Sequence, residues 1–63
     1  MIIRQSPLRP GVRFTLITDP YQVYVVTHVD ERWIYYRPEH GDNAARMRRR
    51  DWLHRRKELL SDG

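Results

Sequence analysis

Cysteine is absent from this 63-residue chain, and with it go disulfide staples, thiolate zinc sites and cysteine nucleophiles. A secreted domain this short ordinarily relies on such staples, so the expected location is the cytoplasm. Nowhere does the sequence hold the roughly 20 apolar residues of a membrane-spanning helix, and its opening, MIIRQSPLRPG, has no apolar run of signal-peptide length. Catalytic signatures are also missing: there is no HExxH, GxSxG, P-loop or dinucleotide fingerprint. His28, His40 and His54 are the only histidines. His40 shares a polar loop with Glu39 and Asp42, but a surface loop of that make-up is ordinary, and no thiolate or nearby histidine completes a metal site. The expectation is a non-enzyme with no catalytic residue, no metal and no cofactor. A chain of this length buries only about 60% of its unfolded surface, so one compact core takes nearly all its apolar residues and leaves no deep cleft.

Lysine is nearly lacking too, with one lysine against eleven arginines. What is present is a concentration of charge. Residues 46–57, RMRRRDWLHRRK, contain seven of the twelve basic side chains and one acid, Asp51, for a net charge of +6. The remaining residues carry five basic and seven acidic side chains, a net of −2. A one-sided field of this kind draws phosphates or an acidic partner. Guanidinium, which is planar and forks toward oxygen pairs, suits either; codon bias in a GC-rich genome gives the same ratio with no functional meaning.

Ahead of that segment the pattern is that of strands. Residues 1–11 include Pro7, Pro10 and Gly11 and read as an irregular arm ending in a turn. A three-stranded meander is expected over residues 12–37. Val12, Phe14 and Leu16 alternate with Arg13, Thr15 and Ile17, and a turn at Asp19-Pro20 follows, with proline favouring a loop longer than two residues. A second strand at residues 21–29 and a third at 32–37 are joined by a two-residue turn, Asp30-Glu31, which pairs Thr27 with Ile34 and Val25 with Tyr36, and sets His28 beside Trp33. That register places Val12, Phe14, Leu16, Val23, Val25, Val29, Ile34 and Tyr36 on a core face. It leaves Tyr24, Val26, His28, Trp33, Tyr35 and Arg37 opposite.

A polar loop spans residues 38–45, and the basic strand or helix segment covers 46–60. Its residues are good helix formers, and a single helix capped at Asp42 or Asn43 is one reading. The preferred reading is a short fourth strand at residues 46–49, then two to three helical turns from Trp52: Trp52, Leu53, Leu59 and Leu60 make one apolar stripe, whereas extending that helix back to Ala44 puts Arg49 in the stripe and Met47 opposite it. The expected fold is thus mainly β with a C-terminal helix: an antiparallel meander or small SH3-like barrel of three to four strands in a single domain.

The segments LRPGVRF, YVVTHVDERWIYYRP and MRRRDWLHRR resemble the short, single-domain SH3-like barrel proteins of bacterial phages and prophages, most of them functionally uncharacterised. The resemblance covers about residues 8–56 and rests on Pro10-Gly11, residues 25–29 and 33–37, and Met47 with Trp52 and Leu53. It implies a small bent barrel and assigns no function.

Two binding surfaces are therefore expected. Arg46, Arg48, Arg49, Arg50, Arg55, Arg56 and Lys57 would contact nucleic-acid phosphates, with Arg46, Arg48 and Arg50 on one side of a strand. Tyr24, Trp33 and Tyr35, beside Arg37, would form a stacking or interaction face if the C-terminal helix leaves it uncovered. Nothing resembles a base-reading helix, so sequence specificity would be low. The alternative is a protein-interaction module, docking on an acidic or host protein partner or forming a homodimer. A solvated arginine face with no dedicated role, guarding an edge strand against aggregation, is the plain reading of the same charges.

Overall fold

The computed structural model describes residues 8–62, so most of the expected N-terminal arm lies outside the described residues. The chain forms β1 (Val12–Leu16), β2 (Asp19–Val29), β3 (Trp33–Pro38) and β4 (Ala45–Arg48). A 3-10 turn (Arg49–Asp51), a one-turn helix α1 (Trp52–Arg55) and β5 (Arg56–Asp62) follow. Every pairing is antiparallel and the strand order is β4-β3-β2-β1-β5. The chain meanders through four strands, then crosses back over the helical segment to lay β5 against β1. The mainly β domain with one short helix is as expected, with five strands where three or four were foreseen. Met47 of β4 and Phe14 of β1 share one buried cluster although two strands separate them in the sheet, so the sheet is curled around its inner face.

The core is built around Phe14. Its ring stacks on Tyr24 at 5.9 Å and meets Tyr36 and Trp52 edge-on at 5.5 and 4.8 Å; Tyr24 and Tyr36 are 5.4 Å apart. Such pairs add about 0.5–1.5 kcal/mol each beyond simple burial. Val12, Leu16, Val26, Ile34 and Met47 complete the buried set, with Leu8, Val29 and Leu59 packed around it. Gly11, at φ 99°, turns the arm into β1 while its N–H donates to the Val26 carbonyl at 2.8 Å, a backbone conformation that side chains other than glycine's resist.

β2 departs from the expected face assignment. The β2–β3 turn is Glu31-Arg32, one residue later than expected, and Val29 faces Ile34 while His28 faces Tyr35. A register shift at Thr27 then sets Val26 opposite Tyr36 and Tyr24 opposite Pro38. A bulge places one extra residue on one strand and so inverts the alternation beyond it. Val29 keeps its core side, but Val26 and Tyr24 take the inner positions assigned to Val25 and Val23. Accordingly Tyr24 is not an outer-face residue: its hydroxyl donates to Asp19 Oδ2 at 2.9 Å. Burial, then that bond, pushes its phenol above the ordinary value.

Two connections also differ. The β1–β2 turn is Ile17-Thr18, closed by Leu16 opposite Asp19, and Pro20 sits near the start of β2 instead of in a longer loop. Proline is tolerated there, where a strand begins. The helix expected to run from Trp52 to residue 60 stops at Arg55, and residues 56–62 extend along β1, with Leu59 opposite Phe14 and Glu58 opposite Thr15. The single long helix is excluded as well. Trp52 enters the core as the helix's anchor, whereas Leu53 is 67% exposed and Leu60 40%. No helix among the described residues is long and apolar enough to cross a membrane.

Candidate functional site

The basic segment becomes three structural pieces. Arg46 and Arg48 lie on β4, exposed on the outer face, opposite Tyr35 and Trp33 respectively. Arg49 and Arg50 belong to the 3-10 turn, so Arg50 does not extend a strand row with Arg46 and Arg48 as expected. Arg55 ends α1, and Arg56 and Lys57 open β5.

Backbone ties join these pieces to the two hairpin turns of the sheet. Arg49 N–H donates to the Arg32 carbonyl in the β2–β3 turn at 2.9 Å, and Ile17 N–H in the β1–β2 turn donates to the Arg55 carbonyl at 2.9 Å. The seven residues 49–55 therefore bridge both turns, and Arg32, missed in the sequence reading, joins the group. Arg32, Arg46, Arg48, Arg49, Arg50, Arg55 and Lys57 are all exposed. Among the described residues no carboxylate is in ion-pair contact with Arg46, Arg48, Arg49, Arg50 or Arg55. The nearby acid Asp30 is engaged otherwise: its Oδ1 accepts from the backbone N–H groups of Arg32 at 2.9 Å and Trp33 at 2.7 Å. Those two bonds hold its carboxyl below the ordinary carboxylate range.

Trp33 is half-buried and organises the cations beside it. The guanidinium carbons of Arg46 and Arg48 lie over its ring at 4.1 and 4.8 Å from the centroid. An indole face attracts a guanidinium through its quadrupole, by about 0.5–1 kcal/mol at an exposed site. Trp33 is thus not a bare platform for bases. It steadies two arginines whose N–H edges remain free to meet oxygen pairs. Arg56 makes a longer contact of the same kind with Trp52, 5.7 Å. Tyr35 is half-buried on the outer face with His28 at 5.5 Å, so His28 neighbours Tyr35 where Trp33 was expected.

The remaining members of the expected stacking face do other work. Tyr24 lies inside, as described. Arg37 Nη1 donates to the carbonyls of Pro38, Glu39 and Gly41 at 3.1, 3.2 and 3.4 Å, folding the β3–β4 loop onto its own side chain. Glu39 of that loop meets Arg13 Nε at 2.6 Å, and this contact lowers the Glu39 carboxyl. The stacking face is therefore reduced to Trp33 and Tyr35.

A shallow cleft of 270 Å³ opens where the β2–β3 turn meets the 3-10 turn, lined by Glu31, Arg32, Arg48, Arg49 and Arg50. Arg49 Nη1 donates to the Asp30 carbonyl at 3.2 Å across this junction. The sequence signal that would have exposed the cleft was the strand register: only once Trp33 is set opposite Arg48 does Arg32 fall beside Arg49. His54 is exposed, as expected. Among the described residues no three histidine, aspartate or glutamate side chains gather as metal ligands. Compared with known protein families, curated proteins and solved structures, the chain matches none.

Proposed function

We propose that the protein is a small, non-enzymatic, cytoplasmic binding module that holds nucleic acid through its phosphates, with little sequence specificity. One observation carries the reading: exposed guanidiniums free of carboxylate partners sit on β4 and on the bridge that joins the two hairpin turns. Phosphate contacts of this type release counterions and are sequence-independent. With Tyr24 packed against the core and two guanidiniums over Trp33, base stacking is subordinate to charge. Kinship with the SH3-like barrel proteins of phages and prophages belongs to the same reading, on the motifs quoted above.

Anisotropy titration of labelled single- and double-stranded DNA and RNA at low and moderate salt tests it. Four phosphate contacts predict a loss of affinity on the order of a hundredfold between 50 and 200 mM salt. Replacing Arg48 and Arg50 together by glutamate should abolish binding. An absence of binding at low salt, where attraction is least screened, sinks the proposal and makes an acidic protein the leading partner.

A further inference from the structure

We propose that the cleft between the β2–β3 turn and the 3-10 turn is a seat for a phosphomonoester dianion, so that this module takes the phosphorylated end of a nucleic-acid strand. The proposal rests on the nucleic-acid reading above and deepens it. Four arginines and one glutamate line this 270 Å³ cleft, residues that together carry a net of three positive charges. An internal phosphodiester brings one negative charge and two free oxygens. A terminal phosphate brings nearly two charges near neutral pH and three free oxygens, a better match for several converging forks.

Two of the four cations are already placed. Arg48 lies over the Trp33 ring and Arg49 is bonded to the Asp30 carbonyl, so binding need not order either side chain anew. The geometry also argues against a linear backbone track. Arg46 and Arg48 follow a strand, but the chain then coils, and Arg49 and Arg50 leave that line to join Arg32 across the junction. Glu31 supplies the remaining chemistry. Its carboxylate repels a second phosphate and accepts a hydrogen bond from a hydroxyl, which a sugar at a strand end carries.

Amide chemical shifts of the full chain, titrated with inorganic phosphate, a 5′-mononucleotide and dimethyl phosphate at constant ionic strength, decide the seat without an oligonucleotide. Saturable shifts centred on Arg32, Arg49 and Arg50, reached with the two dianions at about tenfold lower concentration than with the diester, are expected. Equal response to the diester, or no saturable response, overturns the seat. The mononucleotide outperforming free phosphate points to sugar contacts through Glu31, whereas parity removes Glu31 from the account. Oligonucleotides of one sequence with phosphate or hydroxyl ends then test the strand end. A terminal phosphate should tighten binding about tenfold, and Arg49→Ala with Arg50→Ala should erase that gain while salt-dependent binding through Arg46 and Arg48 persists. Indifference to the end group overturns end recognition and leaves phosphate-mediated binding standing. Failure of every oligonucleotide overturns the proposed function, and the small-molecule titration still decides the seat.

Discussion

Asp30 shows how a single side chain shapes the charged cleft. By accepting from two turn N–H groups it closes Glu31-Arg32 into a fixed corner, and the bonds keep its carboxyl ionised below the ordinary value of 3.8. A carboxyl with a lowered folded-state pKa contributes stability that is present above the unfolded value and is lost as pH falls through the folded one. Asp30→Asn retains an acceptor oxygen, so the turn should persist while the acid-side loss of stability flattens. Asp30→Ala removes the acceptor, and should weaken both stability at neutral pH and phosphate binding at the cleft. Urea midpoints measured from pH 7 down to pH 2 check this; an unchanged acid slope in Asp30→Asn would show that the carboxylate has no part in it. Arginine content was plain in the sequence, but the role of each arginine was not. Arg37 and Arg48 are the same residue type, yet one folds its own loop and the other is mounted on an indole.

Among the elements, β1 and β3 were legible, because alternation settles their main faces: Val12, Phe14, Ile34 and Tyr36 are buried as expected, although the pairing of β1 shifts around Thr15 and buries that residue too. β2 was not, since the shift at Thr27 has no glycine or proline to mark it. β5 was misread for a different reason. RKELL is made of residues that favour a helix by a few tenths of a kcal/mol each, and that preference yields to pairing along the whole of β1, which also packs Leu59 against the core. A substitution separates the two states. Glu58 is exposed and paired opposite Thr15, so Glu58→Thr should raise stability by roughly 0.5 kcal/mol, as a β-branched residue does in a strand, where in a helix it would cost about as much. The shift in denaturant midpoint gives the sign directly. The candidate cleft shares this history: its cations were visible, but their meeting depends on Trp33 facing Arg48, a β3–β4 register that the sequence reading did not assign.

The molecule as a whole divides its labour between a charged surface and one interior. The interior is a single aromatic cluster with Phe14 touching three other rings, and a domain this small has little stability in reserve. Phe14→Ala should cost about 3–5 kcal/mol and leave the chain largely unfolded at 25 °C, seen as loss of the cooperative transition. A cooperative melt retained near the original midpoint would mean that the rings around Phe14 repack without it. Val12 is paired with Asp62 at one extreme of β1, while Leu16 at the other extreme meets Arg56. Four residue steps of about 3.3 Å separate those extremes. Val12 and Asp62 thus lie side by side, at the end of β1 away from Arg56. A pulling force applied between residues 12 and 62 would therefore unzip β5 from β1 pair by pair and reach Arg56 last.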